Sequence, residues 1–232
     1  MKKISLPYWL PLLIFLIVNS QYTFAGMSIN KAVIDFSVNT PKLTDLLVSN
    51  TGDEILYAKV EIFEIVNPGM KNEQRILQKP PENMDIIVTP NRVAVPVGSK
   101  KMLRFMNLKS AETKERIYRV HIAPVAGEFI AEQSGVKVLF AYDVLVIGRP
   151  IQPIANLTIN RVGKHLTIHN SGNTNILLYN GKQCQQEQQP CHDLPVKRMY
   201  AGASWELDLP LDKALNYIQL GFDNKSKRLH IP

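Results

Sequence analysis

The sequence predicts an all-β protein with two antiparallel sandwich domains, and three observations lead to this fold class. Short runs rich in Val, Ile, Leu, Phe and Tyr recur along the chain and are bounded by Asn, Gly, Pro or Asp. No segment after residue 25 keeps a helical period over about 12 residues. Pro150 and Pro153 divide the runs into two sets. Because seven or eight short strands in about 120 residues suit an immunoglobulin-type sandwich, we expect that fold for the first set and a second β-sandwich domain for the other.

The N-terminus has the pattern of a secretory signal peptide. Lys2 and Lys3 form a positively charged n-region, and an apolar core follows. Thr23-Phe24-Ala25 then places small residues at positions −3 and −1 before a cleavage site. We therefore assign residues 1–25 to a signal peptide that is removed after Ala25. A retained N-terminal anchor is the alternative, but the apolar core is shorter than the roughly 20 residues of a membrane span, so no membrane insertion is expected.

The net charge limits the partners of the mature chain. Of the 27 Lys and Arg only Lys2 and Lys3 are lost, which leaves 25 against 20 Asp and Glu, a net charge of +5. The basic residues are spread along the chain rather than clustered. Nucleic acid is therefore not an expected partner.

The strands are expected in the following order. The first domain, residues 26–150, contains "LTDLLVSN", "ILYAKVEIFEIVN", "RILQ", "MDIIVTP", "RVAVPVG", "KKMLRFMNL", "RIYRVHIAPV" and "GVKVLFAYDVLVIGRP". Pro150-Ile151-Gln152-Pro153 ends it, because proline cannot continue a strand ladder. The second domain, residues 151–232, contains "ANLTINRVG", "KHLTIHNSGN", "TNILLYNG", "WELDLP", "YIQLGFDN" and "KRLHI".

Cys184 and Cys191 are the only cysteines, and they lie seven positions apart in "CQQEQQPC". In an oxidising compartment this spacing indicates a local disulfide that closes a polar turn. A metal site with the adjacent His192 is the alternative, but this spacing is not a standard ligand pattern. The chain has no nucleophile elbow, phosphate-binding loop or His-x-x-x-His pair. We therefore expect no enzyme activity, no cofactor and no metal.

Several segments, in their order and spacing, resemble the periplasmic chaperones of the chaperone/usher pilus pathway, the PapD-like family. They are "MSINKAVIDF", "VSNTGDEILYAKV", "VTPNRVAVPVGSKKMLRF", "KERIYRVHIAPV" and "VLVIGRP". "VNPG", "ERIYRV" and "IHNSGNTNILLYNGKQC" make the chain most similar to the branch that serves colonisation-factor-type fimbriae. The resemblance implies two immunoglobulin-like domains in a boomerang arrangement and a location in the periplasm.

The resemblance also implies a donor strand that completes a pilus subunit. The run from Gly135 to Pro150 is longer than one strand needs, and its charged residues argue against a membrane helix. Its first half offers alternating side chains to a client, and the opposite face is expected to pack on the protein's own core. The donor residues are Val136, Val138, Phe140 and Tyr142, and the core-facing ones are Leu139, Ala141, Leu145 and Ile147. A central strand buried on both faces is the alternative.

The family holds the subunit's terminal carboxylate with a pair of basic residues in the cleft between its domains. The first falls on Lys31, but the second falls on Leu145, which carries no charge. Arg119 is our choice for the missing cation, with Lys137 in reserve. Solvated sheet positions for Lys31 and Arg119 are the alternative.

Two further residues match a structural role. Glu115 and Arg149 fall where the family places an interdomain ion pair. The implied function is capture of pilus subunits and their delivery to an outer-membrane usher, and self-association of the free form is left open. A fimbrial structural subunit or tip adhesin is the rival interpretation. A carbohydrate-binding module is disfavoured, because Trp205 is the only tryptophan of the mature chain.

Overall fold

The computed structural model describes residues 26–37, 40–79, 84–111, 113–125, 139–185, 190–221 and 225–232. The elements within these ranges are all strands, which confirms the predicted all-β fold class. The expected signal peptide, residues 1–25, lies outside the described residues. Within the described ranges, no helix has the length and apolar character that a membrane span requires.

The first sandwich is made of ten strands. They are β1 (Met27–Ile29), β2 (Val33–Phe36), β3 (Leu43–Asn50), β4 (Leu56–Val66), β5 (Gln74–Leu77), β6 (Ile86–Thr89), β7 (Arg92–Val95), β8 (Lys100–Asn107), β9 (Arg116–Pro124) and β10 (Tyr142–Gly148). One sheet has the order β1-β3-β8-β6, and the other has the order β2-β10-β9-β4-β5 with β7 also paired to β4. The pairing is antiparallel except between β2 and β10, which run parallel.

The second sandwich is made of eight strands. They are β11 (Leu157–Val162), β12 (His165–Asn170), β13 (Ile176–Cys184), β14 (Cys191–Leu194), β15 (Lys197–Met199), β16 (Ser204–Asp208), β17 (Leu215–Leu220) and β18 (Ser226–Ile231). One sheet has the order β11-β12-β16, and the other has the order β14-β13-β17-β18 with β15 also paired to β13.

Each sandwich encloses its own core, because alternate residues of the strands face inward. In the first, Leu103 and Phe105 of β8 are fully buried, and Lys101, Met102 and Arg104 between and beside them are exposed. In the second, Leu166, Ile168 and Tyr217 are fully buried. A third, smaller apolar cluster of the first domain lies outside both cores, and Tyr200 of the second domain packs against it. This cluster positions the candidate site.

Candidate binding site

The amino-terminal half of β10 presents an open strand edge. β9 pairs with β10 along Tyr142–Gly148, whereas β2 on the other side pairs only with Leu145–Gly148. Within the described part of the chain, no strand lies beside Tyr142–Val144 on the side away from β9. Just before β10, Leu139 and Phe140 are 43% and 52% exposed. An unpaired edge next to exposed apolar side chains is suited to the addition of a strand from another protein.

The two faces of β10 differ from the sequence prediction. Tyr142, Val144 and Val146 pack on the core of the first sandwich. Leu145 and Ile147 point to the opposite face and belong to the third cluster. Of the four residues expected to pack on the protein's own core, Leu145 and Ile147 are buried, but in the third cluster rather than in the core of the sandwich, while Leu139 and Ala141 are exposed. The reason is that side chains alternate with a period of two, so the even-numbered residues that enter the core exclude the odd-numbered ones.

Tyr142 also corrects the predicted donor set. Its hydroxyl donates a hydrogen bond to the Met27 carbonyl oxygen at 2.9 Å, and its ring packs on the first core. This contact joins β1 of one sheet to β10 of the other, so Tyr142 is not free to enter a client. Phe140 has the same parity as Tyr142 and is exposed. Val136 and Val138 lie outside the described residues, as does Lys137, the reserve anchor.

Arg119 lies directly beside Leu145, where the sequence lacks the expected lysine. The two residues are register partners on β9 and β10, and directly opposed residues project their side chains to the same face of a sheet. Arg119 therefore lies on the face that carries the third cluster. Its main chain pairs with β4 and β10, but its guanidinium makes no hydrogen bond or ion pair with any residue in the described ranges. The role of Arg119 as an anchor stays a prediction.

Lys31 follows β1 and lies at some distance from Arg119. Its ammonium donates to the Asp45 carbonyl oxygen at 2.9 Å and to Thr44 Oγ1 at 3.2 Å, both on β3. Val33, two residues later, pairs with Leu145, so the neighbourhood of Lys31 is two strands away from Arg119. At about 4.8 Å per strand, this separation is about 10 Å across the sheet.

Arg149 is buried at the junction of the domains, but its acidic partner is Asp35 rather than Glu115. The guanidinium makes a bidentate ion pair with Asp35, with Nε–Oδ1 at 2.9 Å and Nη2–Oδ2 at 2.7 Å. Nη1 donates to Thr174 Oγ1 at 2.6 Å and to the Asn175 carbonyl oxygen at 3.1 Å. Arg149 thus joins β2 of the first domain to a loop of the second.

Glu115 also joins the first domain to that loop. Its carboxylate accepts hydrogen bonds from the main-chain N–H of Asn175 at 2.6 Å and of Ala201 at 3.0 Å, and from the Asn175 side chain. The predicted Glu115–Arg149 ion pair is therefore wrong, because each side chain is taken up by other partners. Thr174 lies between them and donates to Glu115 Oε2 at 3.4 Å.

The loop that receives both residues is held tightly against the linker. Asn173 Nδ2 donates to the carbonyl oxygens of Thr113 and Gln152, both at 2.9 Å. A Cβ on Gly172 would lie 2.1 Å from the Ile154 carbonyl oxygen, so only glycine fits there. Residues 172–175 and the side chains of Glu115 and Arg149 form a unit that we call the interdomain clamp.

The second domain adds two residues to the cleft that the sequence did not identify. Tyr200 packs against the third cluster, which consists of Ile65, Ile117, Leu145 and Ile147. Arg198 on β15 is half-buried, and its Nη1 donates to Asn175 Oδ1. Burial lowers the pKa of Arg198, and the Tyr200 side chain partly opposes this effect. Burial raises the pKa of Tyr200, while the charges of Arg119 and Arg198 lower it.

A charged network crosses the same face farther from the second domain. Arg75 on β5 packs over the Phe63 ring at 4.1 Å and makes a bidentate ion pair with Asp143, at 2.8 and 2.9 Å. His121 Nδ1 lies 2.9 Å from the same carboxylate. The hydrogen bond with Arg75 is the main reason that the pKa of Asp143 is lowered to about 2. The network joins the edge strand β5 to the start of β10.

The sulfurs of Cys184 and Cys191 are bonded, as the spacing predicted. The bond joins register partners of β13 and β14. Among the described residues, no group of three or more His, Cys, Asp and Glu is arranged to bind a metal.

The chain has the fold of the chaperones of the chaperone/usher pilus pathway. A solved class 5 fimbriae chaperone, CfaA, is 22% identical with a TM-score of 0.64, and the match covers 89% of this chain and 99% of that one. A chain of the CsuC–CsuE chaperone–tip adhesion subunit complex of Acinetobacter baumannii is 15% identical with a TM-score of 0.61, over 89% of this chain and 98% of that one.

A curated relative from Escherichia coli is named as a fimbrial subunit of CFA/I. It is 29% identical over 134 residues, which are 54% of this chain. The chain spans little more than half of that relative, 56% of its length. No protein-family model matches the chain.

Proposed function

We propose that the chain is a periplasmic chaperone that binds pilus subunits by donor-strand complementation and delivers them to an outer-membrane usher. The observation that carries the proposal is the open edge of β10, with Leu139 and Phe140 exposed beside it. The fold, shared with pilus chaperones over nearly their whole length, supports the proposal.

The physical basis is that a subunit with an incomplete sandwich exposes an apolar groove and two unpaired strand edges, both of which promote aggregation. The β10 edge supplies the missing ladder. Phe140 has the parity of Tyr142 and Val144, which face the protein's own core. A client paired with this edge would therefore extend that core. Each large apolar side chain buried in this way contributes about 1.5 to 3 kcal/mol.

The register of the client is fixed by an anchor for its C-terminal carboxylate. Arg119 supplies it from the sheet face that carries the third cluster, next to Leu145. Lys31 and Lys137 are the other cations of the anchor in this proposal. A charge-assisted hydrogen bond of this kind contributes about 1.5 to 3 kcal/mol.

The remaining features of the proposal follow from this mode of binding. Binding by strand addition involves no covalent chemistry, so the protein acts as a chaperone and not as an enzyme, and it uses no cofactor. The predicted signal peptide and the disulfide agree with a periplasmic location. An unoccupied β10 edge is also open to a second copy of the chain, and the concentration dependence of the elution volume tests the free form for such self-association.

A fimbrial subunit is the second candidate, and the name of the curated relative favours it. A fimbrial subunit would carry its donor segment as a free extension or would lack a strand of its own. Here the exposed apolar residues precede an internal strand that is followed by a second domain. Assembly into fibres, rather than a discrete complex with one subunit, would be the outcome that supports this candidate.

The test is co-expression in the periplasm with a fimbrial subunit from the same gene cluster, followed by affinity purification and size-exclusion chromatography. We expect a one-to-one complex with the unaltered chain and none with Phe140→Asp, because a carboxylate would enter the client's apolar groove. Leu108→Asp is the control, because Leu108 is 54% exposed in the same domain and lies away from β10. Equal recovery with Phe140→Asp would contradict the proposal.

A further inference from the structure

The acidic groups near Arg198 and Tyr200 already have other partners. Asp35 binds Arg149 through both of its oxygens. Glu115 accepts from main-chain and side-chain donors of the second domain. Glu73, whose charge raises the pKa of Tyr200, accepts a hydrogen bond from the Gly69 N–H at 2.6 Å. Their carboxylates are therefore engaged elsewhere.

Two arginines in the cleft lack a carboxylate. The guanidinium of Arg198 hydrogen-bonds only to the neutral Asn175 side chain, and no acid among the described residues lies within ion-pair distance of it. The guanidinium of Arg119 makes neither a hydrogen bond nor an ion pair in those ranges. A half-buried guanidinium has lost part of its hydration, and its five donors are suited to a carboxylate. Tyr200 packs on the cluster that contains Leu145, and Leu145 is the register partner of Arg119. Arg198 lies two positions before Tyr200, at the end of the same domain that faces this cluster.

We propose that Arg198 of the second domain joins Arg119 of the first in binding the client's C-terminal carboxylate, with Tyr200 between them as a hydroxyl donor. This inference rests on the proposed function and extends it. The family resemblance places both anchoring cations in the first domain, whereas this chain has Leu145 at one of those positions. A cation from β15 replaces the missing group.

The specificity that follows is for a free main-chain carboxylate that contacts both domains. A client whose C-terminus is blocked or extended would leave two desolvated arginines without a partner, which is costly. Because the interdomain clamp holds β15 near β9, the anchor is preorganised and loses little conformational entropy on binding.

The test is isothermal titration of the full mature chain with a synthetic peptide of the subunit's C-terminal strand, prepared as the free acid and as the amide. We expect the unaltered chain to bind the acid about ten- to a hundredfold more tightly than the amide. Arg198→Met should remove this preference, and Arg198→Lys, which keeps the charge but loses the fork, should retain part of it. Arg228→Met, an exposed arginine on β18 of the same domain, is the matched control and should retain all of it.

The outcomes separate this inference from the proposed function. If Arg198→Met keeps the full preference for the acid, the role of Arg198 is overturned while subunit capture through Phe140 still holds. If neither peptide binds and Phe140→Asp captures the subunit normally, the proposed function itself fails. If the contact between Arg198 and Asn175 is only structural, Arg198→Met should lower the melting temperature and should weaken binding of the acid and the amide equally. A loss confined to the acid would show that Arg198 binds the carboxylate.

Discussion

Replacement of Glu115 by alanine should uncouple the two domains. Glu115 is 7% exposed and accepts from the main-chain N–H groups of Asn175 and Ala201 and from the Asn175 side chain. Each donor left buried without a partner costs about 1 to 3 kcal/mol. Because water reaches part of the opened space, we expect the free energy of unfolding to fall by about 3 to 5 kcal/mol.

The assay for this change is urea denaturation combined with small-angle X-ray scattering. Urea denaturation measures the free energy of unfolding, and scattering measures the radius of gyration of the native chain. Since the lost bonds all join the two domains, each core should stay folded while the radius of gyration increases. Glu61→Ala is the control, because Glu61 pairs with Lys59 on the surface and should change the stability by about 1 kcal/mol or less. A loss below about 1 kcal/mol with an unchanged radius for Glu115→Ala would refute the reasoning.

Two other changes test contacts within the domains. Arg75→Met should lower the free energy of unfolding by about 1 kcal/mol or less near pH 7, since the Asp143 pair is partly exposed. The pKa of Asp143 is depressed to about 2 in the folded protein, so the contribution of the pair is present above about pH 4 and is lost as the pH falls toward 2. Urea denaturation between about pH 2 and 7 checks this, and a difference that is constant with pH would contradict it. Joint replacement of Cys184 and Cys191 by serine should cost about 2 to 3 kcal/mol, the entropy of a short closed loop, and thermal melting that is unchanged would argue against this account.

The strands were predictable because alternation of apolar and polar residues is a local property. Phe105 and Leu103 alternate with exposed neighbours, and the sequence shows this directly. The disulfide was predictable for a similar reason, since Cys184 and Cys191 have no other cysteine to choose. Both features depend on positions close together in the chain.

The orientation of β10 was not predictable, because every residue from Val144 to Ile147 is apolar and the two faces of the strand therefore look alike in the sequence. A shift of one residue exchanges the two faces, and only pairing with β9 and β2 decides between them. The partner of Arg149 was missed because Asp35 lies 114 positions away in sequence. Arg198 was missed because a basic residue in a short strand usually faces solvent.

Two main-chain amide protons in the interdomain clamp can report separation of the domains by hydrogen exchange. The N–H groups of Asn175 and Ala201 are bonded to a carboxylate of the other domain and not to a strand of their own. Their exchange with solvent deuterium therefore requires separation of the domains, while neither sandwich has to unfold. These two peptide groups therefore report the opening of the interdomain clamp. Their exchange rates with and without a bound subunit would give the free energy by which the subunit stabilises the closed arrangement of the domains.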